Sequence, residues 1–253
     1  MSSAQDCLFL QRVDGEQLAY RHVQGKGPGV VFCPGFHSDM QGDKALALAK
    51  WCENRGRQFT CFDYFGHGQS SGNVAKGRIG RWIEDTITIL DEVTEGPQVL
   101  VGSSMGGWMM LHAACARPDR IAGLIGIASA PDFTRFMLER RFDQQMLQRL
   151  QEQGFVELPS HYEDGQPLRI EQDFIEEAEA HMLLDLVIPI DVPVRLLHGQ
   201  ADMDVPWERS LEIADKLRSE DIEVQLVKDG DHRLSRPQDL QRLLVAIELL
   251  LHR

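Results

Sequence analysis

The chain is poor in positive charge, in ordered cysteine patterns and in long apolar runs. Its 26 Lys and Arg stand against 39 Asp and Glu, giving a formal net charge of −13 and a pI of about 5.1. Without a basic surplus there is no electrostatic footprint for nucleic acid or for an anionic membrane surface, so neutral or cationic partners are favoured. No window reaches the ~18 apolar residues of a membrane span. Met1 to Arg12 has no basic region followed by a long apolar run, so no leader is read there. The five cysteines (Cys7, Cys33, Cys52, Cys61 and Cys115) are odd in number and scattered, with no CxxC and no Cys/His ligand spacing. They read as free thiols in a reducing compartment, and no metal site is expected. Cytoplasm is the location these absences suggest. Internal repeats and low-complexity segments are missing as well.

What remains is a chain rich enough in apolar residues to fold. At 253 residues, 43% hydrophobic, with four Trp and eleven Phe, it fits one α/β domain over 1–253 with an insertion. Apolar runs at 7–13 and 17–23, split by Asp14-Gly15, predict a hairpin. Strands are then expected at 30–33, 58–65, 99–102, 122–130, 192–197 and 224–227. Helical spacing falls between them at 43–55, 79–95, 108–117, 207–218 and 239–251. Such alternation means a mostly parallel sheet with helices on both faces. The pattern changes after Asp132. Strand-like runs vanish, and helical spacing appears at Phe142, Met146 and Leu150, and again at Ile170, Phe174, Ala178 and Met182. A small helical cap insertion over 132–190 is the reading. Residues 132–185 hold thirteen acidic and five basic side chains, the composition of a solvated outer face.

The chemistry gathers where strands end. Val99 to Gly107 is an apolar run that closes on Gly102-Ser103-Ser104-Met105-Gly106, a GxSxG pentapeptide between a strand and a helix. That is the setting of a nucleophile elbow, with Ser104 as nucleophile and glycines where the turn leaves no room for a Cβ. An activated serine needs a base and a carboxylate that orients it. After the strand at 192–197 comes His198-Gly199-Gln200-Ala201-Asp202-Met203-Asp204-Val205-Pro206, and after the strand at 224–227 comes Asp229-Gly230-Asp231-His232. The order Ser104, Asp202, His232 is that of an α/β-hydrolase. Either Asp202 or Asp204 could serve a histidine in this loop; Asp202 is preferred because the HGxxDxxVP pattern aligns on it. His37, His67 and His198 are read as structural. The oxyanion hole is assigned to the backbone N–H groups of Met105, after the nucleophile, and Phe36, after Pro34-Gly35. The glycine loop at 63–70 lacks the third glycine and the acidic partner of a dinucleotide site.

Asp63-Tyr64-x-Gly-x-Gly, Gly102-Ser-Ser-Met-Gly-Gly-Trp, His198-Gly-x-x-Asp-x-x-Val-Pro-Trp and Asp231-His232-Arg233 together resemble the serine α/β-hydrolases. More narrowly they are similar to the abhydrolase group of palmitoyl-protein thioesterases and acyl-glucuronide esterases, over nearly the whole chain. The resemblance implies an α/β-hydrolase fold and an acyl-enzyme mechanism on Ser104, Asp202 and His232 without cofactor. It departs in showing no evident mitochondrial leader. The expected substrate is a small-molecule acyl ester or thioester, or an acylated protein. Acyl transfer or peptide cleavage would use the same triad, and a binding protein on the same fold is the non-enzymatic alternative. A serine at the elbow disfavours chemistry that needs an aspartate there. The acidic insertion disfavours polyanionic substrates, and its apolar stripes suggest a small or medium acyl pocket.

Overall fold

In the computed structural model, residues 7–158 and 168–251 are described. Residues 159–167 of the expected insertion, and the first six of the stretch read for a leader, lie outside them. The chain opens on an antiparallel hairpin, β1 (Leu8–Gln11) and β2 (Gln17–Val23), with Asp14-Gly15 in the turn as expected. Strand and helix then alternate through β3 (Lys26–Cys33), α1 (Asp43–Asn54), β4 (Arg57–Phe62), α2 (Ile79–Glu92), β5 (Gln98–Ser103), α3 (Met105–Ala116) and β6 (Ile121–Ile127). Next come α4 (Phe133–Phe136), a wide π-helical turn at Met137–Arg141, α5 (Gln144–Gln153), β7 (Phe155–Leu158), β8 (Leu168–Glu171) and α6 (Gln172–Ala178). The alternation resumes with β9 (Val194–Gly199), α7 (Glu208–Lys216), β10 (Ile222–Val227) and α8 (Pro237–Leu251).

Eight strands form one sheet in the order β1-β2-β4-β3-β5-β6-β9-β10. Only the β1/β2 and β2/β4 pairs are antiparallel; the rest are parallel. The central strands are apolar at consecutive positions because both faces are covered. On one face Val30, Phe32, Val99 and Val101 pack under α1 and α8, against Leu48, Trp51 and Ile247. On the other, Val31, Cys33 and Leu100 meet α2 and α3 through Trp82, Trp108 and Met109. Trp82 and Trp108 are fully buried, so truncating either to alanine costs about 3–5 kcal/mol. α3 is buried at nearly every position, which explains why its sequence is apolar all round rather than striped.

The path of the chain creates the crevice. From β3 it steps outward to β4, then returns past β3 to β5, so the carboxyl ends of β3 and β5 lie side by side with Cys33 opposite Gly102. Ligands bind at such reversals of strand order in open α/β sheets.

The segment between β6 and β9 is less helical than its spacing suggests. β7 and β8 pair antiparallel, Phe155 with Glu171 and Leu158 with Leu168, and Ile170 sits on a strand instead of a helical stripe. The alternation Leu168-Arg169-Ile170-Glu171 is a period-two signal too short to outweigh the longer helical match around it. One carboxylate closes the base of the segment and another pins it to α2. Buried Asp132, at φ 57°, accepts from the N–H groups of Leu183 and Leu184, both at 2.9 Å. Glu177 accepts from the Ile79 and Gly80 N–H groups, both at 2.9 Å. It therefore caps α2 from outside, where Arg78 offers no side-chain cap of its own.

Candidate active site

Ser104 stands between β5 and α3 at φ 54°, ψ −120°, a conformation that a serine holds only when its surroundings over-determine it. They do. Its N–H donates to Ile127 O at 2.9 Å, and its carbonyl accepts from Gly107 (2.9 Å) and Ala130 (3.0 Å). A Cβ at Gly106 would run into the Cys33 and Pro34 carbonyls, and one at Gly102 into the Gly106 backbone. The two glycines of the pentapeptide are there for close approach, as expected. α3 begins at Met105 rather than Trp108, because Gly106 and Gly107 are helical residues placed for packing rather than loop residues.

The structure brings the three candidate residues together. The His232 Nδ1–H donates to Asp202 Oδ2 at 2.7 Å, and His232 Nε2 faces Ser104 Oγ at 3.1 Å. Since the carboxylate can only accept, Nδ1 carries the proton of the neutral ring and Nε2 presents its lone pair toward Ser104 Oγ. The Asp202 side chain is fully buried, and the His232 side chain is about one quarter exposed. Asp202 Oδ1 accepts from the Asp204 and Val205 N–H groups at 2.8 and 2.9 Å. Burial pulls the Asp202 pKa upward. The hydrogen bonds from His198 and His232, the charge of His232 and the Val205 N–H outweigh it and hold the carboxyl well below the usual range.

His198, read from sequence as structural, belongs to the site. It is fully buried, with Nε2 at 3.2 Å from Asp202 Oδ2 and 3.1 Å from Val205 O. Both partners are acceptors there, so Nε2 carries the proton. Nδ1 faces Ser210 Oγ at 2.7 Å. The signal was available: His198 and Asp202 are the fixed positions of one strand-end motif. Asp204 falls to a different task. Its carboxylate lies 3.4 Å from Arg141 Nη2, and its N–H serves Asp202. Asp202, Asp204 and His232 do bring ligand-type atoms within 4.8 Å of one another. The donors already on Asp202 and Asp204 occupy those atoms, and a cation there would displace them.

Met105 and Phe36 both stand beside Ser104. As the first residue of α3, Met105 has an N–H with no acceptor one helical turn back. Gly35 is close enough that a Cβ on it would lie 3.3 Å from Ser104 Cβ, which carries the Phe36 backbone along the same wall. The Phe36 ring stacks on Phe174 (6.2 Å, 10°) and meets Trp82 at 5.5 Å, so the loop after β3 is braced by α2 and α6. His67 is buried behind it, and desolvation lowers its pKa to about 4. That supports the structural reading of His67.

Ser104 and His232 open into a cavity of about 870 Å³, in the upper part of the range of about 300–1,000 Å³ usual for ligand pockets. Its lining includes an apolar set, Phe133, Phe136, Met137, Met146 and Leu158, and a polar set, His37, Ser38, Asp39, Lys44 and Ser235. Lys44 Nζ donates to Arg233 O at 2.5 Å, and desolvation lowers its pKa to about 8. Lys44, Arg141, Arg209 and Arg233 line this space against Asp39, Asp43 and Asp204, so the acidity of the insertion does not extend to the cavity wall. The described cysteines are free as expected, and burial pushes the thiols of Cys33, Cys52 and Cys61 up to about 12.

A mostly parallel sheet, a strained serine at a strand-to-helix elbow and a crevice at the reversal of strand order define an α/β-hydrolase. Known proteins agree. The profile of the serine aminopeptidase S33 family (Hydrolase_4) matches residues 28–189. The mouse palmitoyl-protein thioesterase ABHD10, a mitochondrial protein by its name, is 46% identical over 245 residues, covering 96% of this chain and 82% of the relative. The solved structure of mouse alpha/beta hydrolase domain-containing protein 10 superposes with a TM-score of 0.92 at 45% identity, covering 98% of both chains. A putative hydrolase from Agrobacterium vitis S4 gives 0.90 at 33% identity, covering 97% of both. The chain belongs to this family of α/β-hydrolases and is an ester-cleaving serine hydrolase. The cytoplasmic location expected from composition is corrected by the same comparison, since the mouse relative and its rat and cattle counterparts are all named as mitochondrial. Net charge and free thiols do not encode an address.

Proposed function

We propose that the protein hydrolyses carboxylic thioesters and esters through an acyl-enzyme on Ser104, with His232 as general base and acid and Asp202 as its orienting carboxylate. The continuous relay from Ser104 through His232 to Asp202, at 3.1 and 2.7 Å, carries this reading. His232 Nε2 takes the Ser104 proton as Oγ bonds to the acyl carbon. The carbonyl oxygen becomes an oxyanion on the Met105 and Phe36 N–H groups, each such donor contributing on the order of 3 kcal/mol. His232 returns the proton to the departing thiol or alcohol as its bond to the acyl carbon breaks. Water then attacks with His232 again as base, releasing the carboxylic acid and restoring Ser104.

Residues 132–190 serve as a cap whose apolar wall receives the acyl chain. The relatives' name specifies a palmitoyl group, and a cavity of about 870 Å³ suits a long acyl chain better than the small or medium one suggested by the apolar stripes alone. Although the matching family profile is named for a peptidase, the relatives similar over 96% of the chain are named thioesterases. Thioester and ester cleavage therefore takes precedence.

The test is a series of p-nitrophenyl esters and acyl thioesters from acetyl to palmitoyl, with the wild type and Ser104→Ala, alongside fluorophosphonate labelling. Turnover and labelling that vanish in the variant are expected, with kcat falling roughly a millionfold. Folded wild type that neither turns over nor labels would overturn the reading.

A further inference from the structure

Arg141 closes the wide π-helical turn at Met137–Arg141, a turn type that concentrates at functional sites. Its Nη2 donates to Met203 O at 2.7 Å and Asp204 O at 2.9 Å, and lies 3.4 Å from Asp204 Oδ1. Those two carbonyls belong to the turn whose N–H groups, from Asp204 and Val205, hold Asp202 Oδ1. One guanidinium nitrogen thus grips the outside of the turn that grips the acid from inside. The other end of the π-helical turn faces the acyl wall, where Phe136 and Met137 line the cavity beside Ser104. Arg141 lines the same cavity and is about one-third exposed, so the bare ion pair with Asp204 is worth little in water. The two carbonyl contacts are what tie the two elements together.

We propose that Arg141 is a positioning residue that couples occupancy of the acyl wall to the placement of Asp202. The inference rests on the proposed thioesterase and esterase activity. An acyl chain against Phe136 and Met137 orders the π-helical turn. Through Arg141 that order reaches the Met203–Asp204 turn and the hydrogen bonds that aim Asp202 at His232. The chain then raises kcat as well as affinity, because remote binding energy is used to align the reacting groups. A short acyl group, which leaves Phe136 and Met137 uncovered, gains nothing from the coupling.

The experiment compares kcat and KM across acetyl to palmitoyl thioesters for the wild type, Arg141→Ala and Arg141→Lys, with thermal melts to verify folding. In the wild type kcat rises with chain length. In Arg141→Ala that rise flattens, so kcat falls about tenfold for the long chain and by a clearly smaller factor for acetyl, with KM little changed. Arg141→Lys recovers part of the long-chain kcat, because the contacts converge on one nitrogen, as an ammonium can reproduce. A change in KM alone would show Arg141 to be only a wall of the pocket. An equal fall for every chain length would show general loosening of the site. Either result overturns the coupling. Loss of all turnover and fluorophosphonate labelling in the wild type would instead remove the underlying activity, a separate outcome.

Discussion

Two loops at the carboxyl ends of parallel strands each bury an aspartate, and the two carboxylates behave in opposite ways. Asp63 follows β4, is fully buried, and accepts from the Met40 and Gln69 N–H groups at 2.7 and 2.8 Å. Its desolvation outweighs these amides and lifts its pKa to about 6. Asp202 follows β9, has a side chain that is equally buried, and also accepts from two backbone amides. In addition it has two histidines on Oδ2, and its pKa goes down. Two amides are enough to place a carboxylate but not to offset its desolvation; the imidazole donors make that difference. One loop therefore holds its aspartate by backbone amides alone, and the other holds its aspartate as an anion bonded to two imidazoles.

Removing the charge from each in turn should break the comparison most sharply. Asp202→Asn is expected to lower kcat about ten-thousandfold with the fold intact, because the amide stabilises the wrong imidazole tautomer. Asp63→Asn should leave kcat within about threefold while lowering stability by about 1–3 kcal/mol, since it sets an amide donor against backbone donors. Steady-state kinetics beside denaturant melts separate the two. A comparable loss of kcat in both variants would show that the loops are not distinct in role.

His198 tests what the second imidazole does. His198→Asn should lower kcat by about 10- to 100-fold through misplacement of Asp202. It should also move the acid limb of the kcat/KM pH profile, which loss of packing alone would not do. Ser210→Ala, which removes only the partner of His198 Nδ1, should have a smaller effect in the same direction.

The smallest effect is on stability against pH. Asp63, together with Asp85 of α2, has a folded pKa raised to about 6 by burial, above the unfolded value of about 3.9. The folded state binds extra protons between those values, so these two groups make the protein less stable as pH rises from about 4 to about 6. Asp202, depressed on folding, contributes stability that is present above about 3.9 and lost as pH falls through its folded pKa. Denaturant unfolding at about pH 5 and about pH 7 should show a gain of order 1–2 kcal/mol at the lower pH that Asp63→Asn reduces. No change in that difference would remove the contrast between the loops.

The elbow and its partners were legible because each lies where an apolar strand is cut off by glycine or proline, which is punctuation a linear sequence displays. The parallel alternation was legible for the same reason, with limits shifted by a few residues at most elements. His198 was misread because its meaning depends on Asp202 folding back over one turn, a contact between side chains rather than a pattern. The β7/β8 hairpin was missed because four-residue strands give too few periods to compete with a helical match. Arg141 lay outside any motif: its role comes from a wide turn placed against a loop some sixty residues on.

Asp132 has a consequence for how the molecule could be re-engineered. Its carboxylate joins the start of the segment between β6 and β9 to Leu183 and Leu184 near the end, so that segment is fastened at its own base. A loop fastened in this way can change length cheaply, about 0.6 kcal/mol for each doubling if flexible, without moving β6 or β9. The segment is thus an exchangeable module. On the proposed cap role, segments of other lengths grafted between Asp132 and Leu183 are expected to retune substrate choice while the sheet and the elbow stay as they are.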